Sequence, residues 1–160
     1  MKAANEIQVG GSHYKSGYEH WDFAINVAMD YLSSAASKYV VRWRDKNGIE
    51  DLEKAAHYIT KLIEVSSLVL LRLQHCRPYM GYIEAETVRF IRTNRLNLKE
   101  AQVCHKLATW TTKDELESAR ELILELVNST KLEQVKEKAR KDTVLKKTIL
   151  EDSNKHAERE

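Results

Sequence analysis

Basic and aromatic residues recur at helical spacing in the first third of the chain. Lys38 and Arg42 are four residues apart, so on a helix they project from the same face. Tyr39 and Trp43 are also one turn apart, on the neighbouring stripe. Arginine binds phosphate oxygens through paired hydrogen bonds, lysine supplies a point charge, and an aromatic ring can stack on a base. This combination favours a phosphorylated, base-bearing ligand.

A second group of such residues follows the Asn47-Gly48 dipeptide, which is a typical signal for the end of a helix. Asp51 and Lys54 share one face of the next helix, and Tyr58 lies one turn beyond Lys54. An antiparallel hairpin of the two helices would bring both groups together. The predicted cationic cluster comprises Lys38, Arg42, Arg44, Lys46 and Lys54, with Asp51 as its carboxylate.

The same residue types also have an ordinary structural explanation. Charged side chains on exposed helix faces are usually only solvated, and a carboxylate such as Asp51 in the first turn can simply stabilise its own helix. Lys38 can pair with a neighbouring carboxylate. The rings of Tyr39, Trp43 and Tyr58 can be core residues. Helical spacing alone leaves both explanations open.

Five short motifs occur in an order that resembles a small phage-encoded family of unknown function. They are His13-Tyr14-Lys15, Trp21-x-Phe23, Lys38-Tyr39-x-x-Arg42, Lys46-x-Gly48 and Asp51-Leu52-x-Lys54-Ala55-x-x-Tyr58. The resemblance covers about residues 8–65. A phage member of this family is a deoxynucleoside-monophosphate kinase without a P-loop. The resemblance therefore implies a kinase-like, nucleotide-binding phage protein that acts in the host cytoplasm.

The resemblance also implies roles for individual residues. Asp51 and Lys54 are the predicted catalytic residues, with Asp51 positioning Mg²⁺ or the phosphate acceptor, and catalysis would rest on charge neutralisation and alignment. Mg²⁺ bound with the nucleotide is the one cofactor we expect, and no metal site made by the protein alone is predicted. The segment His13-Tyr14-Lys15 would close over the ligand. The predicted nucleotide-binding and phosphate-binding residues are His13, Tyr14, Lys15, Trp21, Lys38, Tyr39, Arg42, Lys46 and Tyr58.

One departure from the family pattern keeps other functions open. Ser34-Ala35 stands where the family usually has Gly-Asn, so a contact supplied by that asparagine would be missing. A non-enzymatic protein that sequesters or senses nucleotides against host defence is therefore an alternative to a kinase. A helical adaptor that binds a host protein is a further alternative. The predicted partners are a nucleotide, a second copy of the chain through helical regions, or a host protein.

Several other kinds of site find little support in the sequence. The chain has no G-x-x-x-x-G-K-[ST] motif, which excludes a conventional P-loop. His75-Cys76 and Cys104-His105 could supply four zinc ligands, but adjacent residues on a helix diverge by about 100°. His57 could act as a general base, although the sequence favours a partly buried, hydrogen-bonded histidine over that role. The net charge of +2 gives no signal for nucleic-acid or membrane binding.

Low glycine and proline content predicts an all-α helical bundle. The chain has five glycines and one proline in 160 residues, with 42% hydrophobic residues available for a core.

We expect a flexible N-terminal arm over residues 1–20 and helices near 33–46, 49–74, 83–93, 98–110 and 112–127, with a break at 128–130. Phe23, Val27 and Tyr31 have the spacing of one apolar stripe on the first helix. The predicted divisions are a kinase-like domain at 1–78, a helical extension at 79–130 and a charged helical or partly disordered tail at 131–160.

The compartment is predicted from what the sequence lacks. Residues 1–8 are polar, so no secretory signal is expected at the start of the chain. Two cysteines are too few for a disulfide framework. We therefore expect a cytoplasmic protein.

Overall fold

All the regular secondary structure in the described part of the chain is helical. The computed structural model describes residues 17–157, and the side chains of residues 17–143. Its α-helices are His20–Asn26 (α1), Tyr31–Arg42 (α2), Ile49–Cys76 (α3), Met80–Thr93 (α4), Leu98–Thr109 (α5) and Lys113–Ala157 (α6), and a 3₁₀ turn occupies Trp43–Asp45. The predicted all-α class is therefore confirmed. The predicted arm falls largely on residues 1–16, outside the described residues, and α1 begins at the last position assigned to it.

The end of α1 corrects one sequence prediction. The backbone N–H of Met29 donates to the carbonyl of Ala24, and that of Ala28 donates to Ile25, which closes the helix while Ala28 takes a φ of 52°. Phe23 and Val27 are buried, but Tyr31 starts the next helix and is 74% exposed. The predicted stripe of Phe23, Val27 and Tyr31 is wrong because the chain turns before Tyr31.

Side chains cap three of the helices. Asp30 Oδ1 accepts hydrogen bonds from the N–H groups of Leu32 at 2.8 Å and Ser33 at 3.0 Å, so α2 begins at Tyr31. Asn97 and Glu100 form a reciprocal capping box at the start of α5. Thr112 and Glu115 form a similar box before α6. The Glu115 N–H lies 3.3 Å from Thr112 Oγ1, and the Thr112 N–H lies 2.9 Å from Glu115 Oε2.

The predicted break at residues 128–130 is wrong, because α6 runs through it. Asn128, Ser129 and Thr130 lower helix stability only modestly, and no glycine or proline occurs in the helix to interrupt it. The chain nevertheless forms two compact units, Met1–Val127 and Asn128–Glu160. In the second unit, every side chain from residue 131 to residue 143 is exposed.

The first unit is held together by an apolar core. Phe23 of α1 stacks on Phe90 of α4, with ring centroids 4.1 Å apart and planes 6° apart. Leu52, Phe90 and Trp110 belong to the same buried cluster, although they lie on both sides of the predicted division at residue 78. Burying each such side chain stabilises the fold by about 1.5–3 kcal/mol. Among the helices of the described chain, none combines the length and the apolar composition that a membrane crossing requires.

Contacts between α2 and α3 show that the two helices form an antiparallel hairpin, which is the arrangement that would bring the two predicted groups together. Arg42 contacts Asp51, Tyr39 lies near Lys54, and Tyr31 contacts Tyr58, so residues later in α3 meet residues earlier in α2. Gly48 makes the tight connection possible with a φ of 58° and a ψ of −132°, a conformation that other residues rarely adopt. The hairpin brings predicted site residues of the two helices next to one another, with Arg42 against Asp51 and Tyr39 near Lys54.

Candidate functional site

A buried ion pair joins the C-terminal end of α2 to the first turn of α3. Arg42 Nε lies 3.0 Å from Asp51 Oδ2, and Arg42 Nη2 lies 3.2 Å from Asp51 Oδ1. Asn47 Nδ2 also donates to Asp51 Oδ1 at 3.0 Å. The Asp51 side chain is fully buried and that of Arg42 is 12% exposed. Asp51 therefore orients the Arg42 guanidinium, and both of its oxygens are engaged in doing so.

Hydrogen bonding decides the charge state of this buried carboxylate. Burial by itself raises the pKa of Asp51, because a low-dielectric environment disfavours the charged form. The hydrogen bonds from Arg42 and Asn47, together with the positive charges of Arg42 and Lys54, outweigh burial and hold the pKa below its ordinary value. The Arg42–Asp51 pair is thus fully ionised at neutral pH.

Three tyrosines line the surface of the hairpin beside this pair. The rings of Tyr39 and Tyr58 stack with centroids 5.7 Å apart, and Tyr31 meets Tyr58 edge-on at 6.1 Å. The Arg42 guanidinium carbon lies 4.5 Å from the centroid of Tyr39, and Lys54 Nζ lies 5.9 Å from it. Cations and aromatic rings therefore alternate along one face.

Tyr31 is a member of this face that the sequence analysis missed as a site residue. Its hydrogen bond to Tyr58 raises the pKa of Tyr31 above the ordinary value. The signal was present in the sequence, since Tyr31 lies two helical turns before Lys38 on the same side of α2. The apolar spacing of Tyr31 with Phe23 and Val27 hides this signal, because it places Tyr31 on α1 and not on α2.

The two lysines of the face differ in their surroundings. Lys54 is 40% exposed and donates to Glu50 Oε1 at 2.6 Å, one turn earlier on α3. Lys38 is exposed, and no hydrogen bond or ion pair joins it to another residue in the described part of the chain. Nearby His20 contributes no charge, because burial first and then the Lys38 ammonium lower its pKa to about 4. The Lys38 charge is therefore available to an anion in solution.

The other residues predicted at or near the site have different surroundings or lie outside the described residues. Trp43 Nε1 donates to Glu100 Oε1 at 2.6 Å, and Arg44 Nη1 lies 2.6 Å from the same oxygen, so both side chains are directed toward α5. Lys46 is exposed just after the 3₁₀ turn. Trp21 is exposed on α1 and has no ring contact with another described residue. The predicted residues His13, Tyr14 and Lys15 lie outside the described residues.

The other sequence candidates are not assembled into sites. His57 is exposed on α3, so the partly buried role suggested for it is wrong. Cys76 is exposed and Cys104 is buried, where burial raises the pKa of its thiol. His105 pairs with Glu84 at 2.8 Å. Within the described residues, no group of three or more His, Cys, Asp or Glu side chains could hold a metal ion.

We define the α2–α3 face as the surface that the hairpin brings together. Five of its residues contact one another, namely Tyr31, Tyr39, Arg42, Lys54 and Tyr58. Lys38 belongs to it as well, because it lies one turn before Arg42 on α2 and its charge acts on Tyr31. Its chemistry suits an anion with an attached planar group, because exposed lysines lie beside stackable rings.

Comparison with known families finds one match to this region. Residues 9–60 match the model of a family described as proteins of unknown function, DUF3310. The match spans about a third of the chain and includes all the residues of the α2–α3 face. It confirms the predicted resemblance to a family of unknown function, whereas a phage origin and a kinase activity are no part of that description. Searches of curated proteins and of solved structures find no significant match.

Proposed function

We propose that the α2–α3 face binds a nucleotide. Lys38 and Lys54 contact the phosphate, Arg42 adds positive charge beneath it, and the exposed Tyr31 ring stacks on the base. The observation that carries the proposal is the environment of Tyr39, which has a guanidinium and an ammonium over its ring and a second tyrosine stacked beside it. A phosphate and a planar base could each find its complement within this one surface.

Non-enzymatic binding is the version of this function that the geometry favours. The role predicted for Asp51 in a kinase is to position Mg²⁺ or the acceptor, yet both of its oxygens already accept hydrogen bonds from Arg42 and Asn47. Glu50, the carboxylate nearest in sequence, is bonded to Lys54. These residues do not form a magnesium cage, so Mg²⁺ in a kinase would be carried by the nucleotide. A protein that sequesters or senses nucleotides needs no such carboxylate.

A thermal-shift screen distinguishes these functions. The purified protein is tested with nucleoside mono-, di- and triphosphates and cyclic nucleotides, with and without Mg²⁺, and each nucleotide is recovered for chemical analysis. A ligand that binds only the native state raises the melting temperature. Phosphoryl transfer that depends on Mg²⁺ would support the kinase, and intact recovery would support sequestration or sensing. The absence of any shift would refute nucleotide binding and leave the helical adaptor.

A single substitution tests whether binding occurs at this face. Lys38→Ala removes an exposed ammonium that has no described partner, so we expect weaker binding with unchanged unfolding of the free protein. Lys113→Ala, at an exposed position on α6, is the matched control and should leave binding unchanged. Lys38 is a better choice than Arg42, because replacing Arg42 would also leave the buried Asp51 without its main partner.

A further inference from the structure

A continuous exposed stripe runs along the outer side of α3. Its members recur at alternating spacings of four and three residues, which is the spacing of a helix–helix seam. All of them are exposed, and none belongs to the α2–α3 face. The stripe, which we call the α3 seam, consists of His57, Lys61, Glu64, Leu68, Leu71 and His75.

The apolar part of the seam lies where α2 no longer covers α3. Tyr31, the first residue of α2, contacts Tyr58, so α3 extends beyond its hairpin partner for several turns. There Leu68 is 66% exposed and Leu71 is 59% exposed. Single exposed leucines are ordinary on protein surfaces, but two on adjacent turns of a regularly spaced seam indicate a contact surface.

We propose that the α3 seam pairs with the α3 seam of a second copy of this chain, with the two helices antiparallel. A two-fold axis between positions 69 and 70 sets Leu68 of each copy opposite Leu71 of the other. The interface therefore contains two such contacts. Such an isologous contact uses one patch on both subunits and closes as a dimer. The four leucines would form its apolar centre.

The polar residues of the seam favour this orientation. In the antiparallel arrangement Glu64 lies opposite His75 of the second copy, so each carboxylate faces a basic side chain. Lys61 lies opposite the C-terminal end of the other α3, where the helix dipole favours a cation. A parallel pair in register would instead set Glu64 against Glu64 and Lys61 against Lys61, which is repulsive. The Lys61–Glu64 contact within one chain, at 2.8 Å between two exposed groups, is weak enough to rearrange.

This inference does not rest on nucleotide binding, because no residue of the seam belongs to the α2–α3 face. The full chain is examined by sedimentation velocity at increasing protein concentration, and we expect a shift from monomer mass to dimer mass. Leu68→Glu and Leu71→Glu, each at an exposed position, should each abolish the dimer while circular dichroism shows unchanged helix content. A wild-type chain that stays monomeric at every concentration would overturn the proposal.

Charge exchange tests the antiparallel register. His75→Glu sets two carboxylates opposite each other at both ends of the seam and should weaken the dimer. Adding Glu64→Lys to His75→Glu recreates opposite charges and should restore it, whereas failure of the pair to restore it would refute the register. The control is Leu132→Glu with Val135→Glu, two exposed apolar positions on α6. Loss of the dimer in this control would place the interface on α6 and overturn the assignment to α3.

Discussion

Arg42 binds both carboxylate oxygens of Asp51 across the turn between α2 and α3, with nitrogen–oxygen distances of 3.0 and 3.2 Å. The two residues had been predicted to act separately, one on a phosphate and the other on a metal or an acceptor. Their pairing makes Asp51 a positioning residue and fixes the guanidinium against Tyr39. The pair thus connects the stability of the hairpin to the geometry of the α2–α3 face.

Asp51→Asn should strongly destabilise the protein. The substitution keeps the shape of the side chain but removes the negative charge that faces the largely buried Arg42 guanidinium, and breaking such a buried pair typically costs about 3–5 kcal/mol. Chemical denaturation followed by circular dichroism measures the free energy of unfolding. Glu50→Gln, which breaks the exposed pair with Lys54, is the control and should cost about 1 kcal/mol or less. Equal losses for the two variants would contradict the buried pair.

The contribution of Asp51 to stability should depend on pH in the acid range. Its pKa in the folded protein lies below the value of about 3.9 expected in the unfolded chain. As the pH falls, Asp51 therefore binds a proton in the unfolded chain before it does so in the folded protein. The stabilisation is complete above about pH 4 and is lost as the pH falls through the pKa of Asp51 in the folded protein. We expect the stability difference between wild type and Asp51→Asn to shrink below about pH 4. The acidic residues that both proteins share largely cancel in this comparison.

Ala28→Gly should stabilise the protein. Ala28 ends α1 with a φ of 52°, in the left-handed region where a Cβ atom costs about 1–2 kcal/mol. Glycine has no Cβ atom and avoids this cost, but it also has greater freedom in the unfolded chain, which partly offsets the benefit. The net gain in the free energy of unfolding is about 0.5–1 kcal/mol. The melting temperature and denaturation midpoint should both rise. Ala85→Gly, at an exposed position inside α4, should lower both, since the same substitution there costs about 1 kcal/mol.

Glu100→Ala should cost more stability than Glu115→Ala, although each glutamate belongs to a capping box. Glu100 is fully buried, and it accepts hydrogen bonds from Trp43 Nε1 and the Asn97 N–H besides its ion pair with Arg44. Its loss leaves the indole N–H of Trp43 unsatisfied, so we expect the free energy of unfolding to fall by about 3 kcal/mol. Glu115 caps a solvent-exposed helix start, where removing the cap typically lowers the free energy of unfolding by about 1 kcal/mol. Similar losses in denaturation experiments would show that Glu100 acts only as a cap.

Tyr31→Ala should weaken nucleotide binding with little effect on folding. Tyr31 is exposed and meets Tyr58 edge-on, so its ring is accessible to a base at the end of the α2–α3 face. Losing one stacking ring should reduce the binding free energy by about 1–3 kcal/mol, measured by calorimetry with a nucleotide that the thermal-shift screen identifies. Tyr79→Ala removes an equally exposed tyrosine before α4 and should leave binding unchanged. Equal effects of the two substitutions would exclude a specific role for Tyr31.

The sequence by itself determined the helical class and most helix limits. Periodic apolar residues, a glycine after a basic turn and the Thr112–Glu115 box are local signals, and helices depend mainly on such local preferences. The spacing of Lys38, Arg42, Asp51 and Lys54 was also enough to predict that an antiparallel hairpin would bring them together. The helix through residues 128–130 was missed because the cost of three polar residues was overestimated.

Only the tertiary structure decided which of these residues point toward one another and which are buried. Spacing on a helix defines a face, but whether that face meets solvent or another helix depends on contacts between distant residues. Trp43 and Arg44 turn to the buried Glu100, 57 residues after Trp43, and no local pattern marks that partner. Asp51 is likewise buried with Arg42 because two helices pack there, and packing between helices, unlike helix formation, is a non-local property of the chain.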